Sequence, residues 1–401
     1  MIKRELYLSK LRSFYDSELI KVLVGIRRSG KSVILKQIID ELKEKGIKEE
    51  EIIYLNFENL DFAFIKNEMD LFKYVKDLIV SEKKYYLFFD EIQNVENFEK
   101  AINSFRSNMN VSIFITGSNG KLLSGELATH LSGRYVEFKV LPFTYFEMCE
   151  LLKTKGEEIT EDTFYNYLKF GGMPQRFSFN NEDEINIYLN DLYNSIILRD
   201  VVQRSKIKDI NLLNNIIQYL LENIGQIFSG RSVIGYLKQD GRKVAAETLY
   251  NYLDYINSAL LMSKVHRYDI RGKKVLSTLE KYYVADLGIR NIKKSDIEFK
   301  LGGSLENIVY NELIVRGYKV NIGKIDDGEV DFIAIKGNDK VYVQVAYILS
   351  SESVISREFG AYDNINDNYK KYVLSMDKVD MSRNGIRHIN ILDFLLRKKD
   401  I

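Results

Sequence analysis

Eight residues constrain this chain more than any others. GIRRSGKS, Gly25 to Ser32, lies between an apolar run, LIKVLV, and an amphipathic stretch that begins KSVILKQIIDEL. The spacing is G-x-x-x-x-G-K-S in a strand-to-helix context, which a chance glycine-rich turn seldom has. Glycines at both ends let the backbone turn tightly enough for its amide hydrogens to face an anion. The helix that follows presents its positive N-terminal end to the same point. Gly25, Ile26, Arg27, Arg28, Ser29, Gly30, Lys31, Ser32 and Val33 are therefore the candidate contacts to a nucleoside phosphate. In such a loop Lys31 reaches the β and γ oxygens, and the Ser32 hydroxyl is a ligand for magnesium. Arg27 and Arg28 either line the nucleotide mouth or face a partner, and the sequence does not choose between these.

A loop of this kind calls for a second buried strand that ends in an acid, and YYLFFDE supplies it. Asp90 at the strand end is expected to orient magnesium through water. Glu91 is expected to polarise a water for attack on the γ-phosphate, so the acid pair points to hydrolysis rather than binding alone. The next apolar run, VSIFITGSN, ends in Ser118 and Asn119, and neighbouring strands of a parallel sheet deliver their C-terminal ends to one crevice. Asn119 is the candidate contact to the γ-phosphate or to the attacking water. Arg134, in LSGR before the fifth strand, either stabilises transition-state charge, from within the chain or reaching into a neighbouring copy, or is an ordinary surface arginine. The implied ligands are ATP, ADP and Mg2+.

The alternation of short apolar runs with amphipathic stretches extends this to an α/β domain over residues 1–150. Candidate strands lie at 19–25, 52–58, 85–91, 111–118 and 135–143, with helical stretches at 31–45, 67–82, 97–108 and 121–131 between them. Strands apolar on both faces, each followed by a helix, are what a parallel sheet requires. Residues 151–295 read as helical, broken most strongly at FGGMP (170–174), and end in a helix–turn–helix–hairpin pattern expected to form a winged helix. Residues 296–401 read as a smaller α/β unit in which EVDFIAIK and KVYVQVAY, joined by GND, form a hairpin.

Composition excludes several classes. The 58 basic and 57 acidic residues leave a net charge of +1, so no global field draws the chain to nucleic acid or an anionic bilayer. A zinc site lacks material, with Cys149 alone and only His130, His266 and His388. No apolar run approaches the roughly 18 residues of a membrane span, and a cytoplasmic location is expected. A local patch survives: Lys264, Arg267, Arg271, Lys273, Lys274 and Lys281 against Asp269 and Glu280, centred on the proposed wing. It suits non-specific contact with a DNA backbone. The helix AAETLYNYLDYIN, which would enter a groove, carries no Arg or Lys, which disfavours base reading. The partner is thus DNA, bound without sequence preference, or a protein. An oligomer is required only if Arg134 acts on a neighbour.

Taken together, GIRRSGKS, FFDEIQ, ITGSNGKLLSGELATHLSGR followed by LPFTYFE, FGGMP, ETLYNYLDYINSALLMSKVHRYDIRGKK with KYYVADLGIRN, ENIVYNELIVRGYKV, EVDFIAI and YVQVAY resemble the AAA-type ATPases of archaea and bacteria that carry a C-terminal domain of unknown function. The resemblance implies a P-loop NTPase sheet that binds ATP, with Lys31, Asp90 and Glu91 in the roles argued above. It implies sensor-like and finger-like positions for Asn119 and Arg134, and a C-terminal unit similar to restriction-endonuclease-like nucleases. In that nuclease fold a helix Glu, a strand Asp and an E-x-K on the next strand hold magnesium and position water. Glu306 and Asp331 match. Gln344-Val345-Ala346 does not: an amide replaces a ligand, and the ammonium that would stabilise the transition state is missing. The expectation is a nuclease-like scaffold without nuclease activity, unless Lys336 or Arg357 supplies the missing charge. The leading functional expectation is an ATPase that drives its appended domains. A nucleotide-gated interaction protein with slow turnover, and an ATP-regulated nuclease, are the alternatives.

Overall fold

A computed structural model of the 401-residue chain describes residues 2–120, 131, 133–239, 241–293, 301–326 and 328–401. The helix expected over 121–131 and His130 fall almost entirely outside the described residues. The chain divides into two compact units, Met1–Pro142 with Ser258–Leu260, and Phe143–Asn257 with Leu261–Ile401.

The first unit is built on five strands: β1 (Ile20–Val24), β2 (Ile52–Asn56), β3 (Tyr85–Asp90), β4 (Val111–Gly117) and β5 (Tyr135–Lys139). All are parallel, in the order β2-β3-β4-β1-β5. β1, β3 and β4 are buried along their whole length, which is why their sequences are apolar without alternation. Phe88 and Phe114 stack across β3 and β4 at 4.6 Å, and Leu87, Phe89, Ile113 and Ile115 belong to one core with Phe105. The polar residue inside β1, Lys21, lies over the Phe114 ring at 4.4 Å and donates to Ser112 Oγ at 2.7 Å.

FGGMP is resolved in the second unit as a backbone crossing. Gly171 has φ +67° and a Cβ there would lie 2.0 Å from Asp286 Oδ1, while a Cβ on Gly172 would lie 2.0 Å from the Phe143 carbonyl. Asp286, fully buried, accepts from the Gly172 and Gly288 amides at 2.7 and 2.9 Å. Both glycines are therefore fixed by close approach rather than by flexibility.

Two helices, Gly230–Gln239 and Ala246–Ser258, precede a hairpin of β6 (Met262–Asp269) and β7 (Lys274–Val284). Leu249, Leu253 and Ile256 are buried, whereas Tyr250 is 44% exposed, so the helix stripe is mainly core. The hairpin does not stand free. β6 pairs in parallel with β8 (Lys319–Ile325), so both hairpin strands belong to a seven-stranded mixed sheet, β12-β11-β10-β9-β8-β6-β7. Its other strands are β9 (Gly328–Lys336), β10 (Asp339–Val345), β11 (Lys370–Ser375) and β12 (Ile386–Asn390). Residues on either side of the boundary expected near 295 thus share one sheet. Among the described residues no helix is long and apolar enough to cross a membrane.

Candidate nucleotide site

β1 runs straight into the glycine-rich loop, and its neighbours decide the loop's shape. The Val140 amide, just past β5, donates to the Val24 carbonyl at 2.6 Å, and a Cβ on Gly25 would lie 2.1 Å from the Val140 carbonyl. Only glycine passes here. At the far end Gly30 has φ +100° and caps the helix Lys31–Glu44. Between them Ile26 and Ser29 are buried, Arg28 is exposed with φ +63°, and Arg27 pairs with Glu58 at 3.0 Å. Ser32 and Val33, in the first helical turn, are half-buried.

Lys31 is 3% exposed and folds back over its own loop, its Nζ donating to the Gly25 and Ile26 carbonyls at 3.0 and 3.3 Å. The same ammonium lies 3.5 Å from Glu91 Oε1. The loop also holds one buried side-chain atom with no hydrogen-bond partner, Ser29 Oγ. A buried orphan hydroxyl and a lysine bonded only to loop carbonyls and one acid suit a loop that receives an anion.

The parallel register brings the ends of β1, β3 and β4 together, as the sequence implied. Asp90 is fully buried and takes two hydroxyl donors, Tyr54 at 2.8 Å and Thr116. The Thr116 hydroxyl also accepts from the Glu91 amide at 2.9 Å, so one side chain fixes both acids. Glu91 itself is held at φ +52°, a costly conformation for a non-glycine residue and one that clusters at functional sites. Burial would raise its pKa. The Lys31 ammonium, the Gln93 amide, Arg27 and Ser118 outweigh that and hold it below the ordinary glutamate value. Ser118 and Asn119 are buried at the end of β4.

Arg134 is placed elsewhere. β5 runs parallel to β1 with Tyr135 opposite Ile20, so Arg134 sits at the N-terminal end of the strands, a strand length of about 16 Å from the loop. Its exposed guanidinium donates to Asn103 at 2.8 Å. The reading in which Arg134 acts on the phosphates of its own chain is therefore corrected: strand register rules it out, and the in-trans or plain surface readings remain.

Sequence reasoning missed Tyr54, Thr116 and Gln93. Thr116 carried a faint signal, a hydroxyl near the end of a mostly apolar strand beside the acid-bearing one.

The acids of the second unit form a different arrangement. Glu306, on the helix Leu301–Val315, Glu329 and Asp331, on β9, all converge on Lys281 of β7, at 2.9, 2.6 and 3.5 Å. Tyr283 adds a hydrogen bond to Glu306. Burial alone would lower the Lys281 pKa, but the three carboxylates raise it. Burial, with the adjacent Asp331, pushes Glu306 up to about 8. Gln344 spans the cluster's edge, accepting from the Asp331 amide and donating to Glu358 at 3.0 Å. Neither lysine nor arginine named from sequence joins it: Lys336 lies over the Tyr318 ring and Arg357 pairs with Glu358. Lys281 was counted with the wing instead. The basic patch at the expected wing is correspondingly reduced, since Lys264 pairs with Glu280 and Arg267 is buried, leaving Lys273, Lys274 and Arg271, the last paired with Asp326, exposed at the turn. Among the described residues no group of three His, Cys, Asp or Glu side chains is arranged to hold a metal ion.

A phosphate loop after β1, an acid-ended strand one strand removed from it and a five-stranded parallel sheet define an AAA-type ATPase domain, and comparison with known proteins agrees. Residues 17–149 match the AAA domain family model and residues 161–297 match one described as Domain of unknown function (DUF8612). The chain is 38% identical over 400 residues to an uncharacterized protein of Haemophilus influenzae, covering 99% of each. It is 33% identical over 390 residues to uncharacterized protein MJ1544 of Methanocaldococcus jannaschii, covering 93% of this chain and 85% of that one. The chain belongs to the same family as these two relatives, and its residues 17–149 are an AAA domain. Among solved structures, the Walker-type ATPase PABY2304 of Pyrococcus abyssi has the same fold, with a TM-score of 0.53 at 16% identity, over 73% of this chain and 96% of that one.

Proposed function

We propose that the first unit binds and hydrolyses ATP and uses the nucleotide cycle to rearrange the unit that follows it. The observation that carries this is the Lys31–Glu91 pair at 3.5 Å, set between the phosphate loop and the acid-ended strand. Lys31 exchanges the Gly25 and Ile26 carbonyls for phosphate oxygens. Glu91, released from Lys31, accepts a proton from the water that attacks the γ-phosphate, and ADP leaves. Asn119 contacts the γ-phosphate or that water from the end of β4. Ser32 and Asp90 would hold magnesium, which when bound supplies neutralising charge on the phosphates. Asp90 suits this because hydroxyl donors from Tyr54 and Thr116 hold its side chain in place at the strand end.

Arg134 serves a neighbouring copy in this reading. Mixing a Lys31→Ala chain with an Arg134→Ala chain, each inactive alone, restores turnover in trans; no restoration returns Arg134 to an ordinary surface residue. For the second unit the proposal is a winged-helix and nuclease-like scaffold without nuclease activity, because Lys281 sits among the carboxylates that a metal would need. A Mg2+-dependent cleavage of DNA that is lost in Asp331→Ala contradicts this.

A second reading, a nucleotide-gated binding protein with slow turnover, has one observation in its favour: Glu91 is tied to Lys31 and Gln93 and must be freed to act. Phosphate release by the wild type and by Glu91→Gln separates the two, since only the hydrolytic reading predicts a large loss. Repeating it with duplex and single-stranded DNA tests the partner: stimulation supports nucleic acid, and none moves the assignment to a protein.

A further inference from the structure

The outer face of the phosphate loop is held by a residue outside every motif. Arg4, just ahead of the helix Glu5–Leu11, is 1% exposed. Its guanidinium donates through Nη1 to the Ser29 carbonyl at 2.9 Å and through Nη2 to the Leu141 carbonyl at 3.1 Å. Its plane lies over the Tyr7 ring at 4.7 Å, and the Tyr7 hydroxyl accepts from the Leu141 amide at 3.0 Å. Its own amide is bonded to Gln37, on the helix that leaves the loop, at 3.0 Å.

We infer that Arg4 is a positioning residue for the nucleotide, fixing the orientation of the loop peptides that face the phosphates. The inference rests on the reading of this loop as a nucleotide site. In a planar trans peptide the carbonyl and the next N–H point in opposite directions. A Ser29 carbonyl drawn onto Arg4 therefore turns the Gly30 N–H away from Arg4, toward the opposite face of the loop. Gly30, at φ +100°, has little preference of its own to hold that peptide. A Cβ there would come within 3.3 Å of Arg4 Nη1, so glycine also makes room for the clamp. The Leu141 bond secures the other wall, because Leu141 follows the Val140 whose carbonyl packs against Gly25. Without Arg4 both carbonyls lose a charged donor, and the loop must order its amides when nucleotide arrives.

The test is calorimetric titration with Mg-ADP, plus steady-state phosphate release, on the full chain carrying Arg4→Ala, Arg4→Lys or Arg12→Ala. Arg12 lies on the same N-terminal segment and pairs with Glu41 at 2.7 Å, away from the loop. The expected result is a Kd and a KM raised about tenfold or more in Arg4→Ala, with kcat within about twofold. Arg4→Lys, which reaches one carbonyl at a time, falls between, and it carries the test if the alanine variant does not fold. Arg12→Ala leaves Kd unchanged. Wild-type affinity in Arg4→Lys and Arg4→Ala overturns the inference, as does an equal loss in Arg12→Ala, which would make the segment a general scaffold. A wild type that takes no Mg-ADP sinks the nucleotide reading itself.

Discussion

Lys31 and Lys281 are both buried, and each lies beside a glutamate, 3.5 Å from Glu91 and 2.9 Å from Glu306. Their surroundings differ in what is left unfinished. Lys31 bonds to two carbonyls of its own loop, which costs little to give up, and a buried serine hydroxyl beside it has no partner. Lys281 is enclosed by three carboxylates, and Tyr283 donates to one of them. A lysine and a glutamate in contact say little by themselves. The first site suits an anion, as the proposed function requires, because its lysine is held by loop carbonyls and one acid; the second holds its cation already, as part of the protein.

The comparison breaks most easily at Glu91. Glu91→Gln is expected to lower phosphate release about 10²–10⁴-fold while Mg-ADP still binds; retained turnover would remove Glu91 from the chemistry. The next largest effect falls on the closed cluster. Lys281→Ala leaves the buried Asp331 and the partly buried Glu306 and Glu329 without their shared cation and is expected to cost about 3–5 kcal/mol in chemical denaturation, with the ADP affinity of the first unit unchanged. Thr116→Val, which takes a donor from Asp90 and an acceptor from the Glu91 amide, should cost about 1–3 kcal/mol and lower turnover as the acids lose their orientation. The smallest effect sharpens the contrast through pH. Glu306 keeps its proton up to about 8 in the folded chain, whereas unfolded glutamate releases it near 4.5. The folded state therefore binds the extra proton in that window, so this contribution is complete below about 4.5 and is lost as pH rises through about 8. Melting temperatures measured across the range should fall in the wild type and flatten in Glu306→Gln. Glu91 is shifted the other way, below the ordinary glutamate value, and predicts no loss of turnover on the acid side until well below neutrality.

The two sites were unequally legible for a physical reason. The loop, the acids and the ends of their strands are contiguous runs, because a parallel sheet exposes each strand's C-terminal residues at one edge, so spacing alone was enough to name Gly25, Lys31, Asp90, Glu91 and Asn119 as candidates. Tyr54 and Thr116 were hidden because each acts across a strand pair, and register is not written in a single strand. Arg4 lies 25 residues from the carbonyl it holds, in a segment with no pattern that points to the loop. Lys281 was assigned to a DNA-facing wing because nothing local says that β6 will pair with β8 and turn the hairpin inward. The same pairing explains why the basic count near 264–281 overstated the charge available to a partner.

Titration of the wild type and of Lys31→Ala with Mg-ADP tests the central claim most directly. The account predicts one nucleotide bound per wild-type chain and none at the same concentrations in the variant. A wild type that releases no binding heat, or a Lys31→Ala chain that binds as tightly, would contradict it.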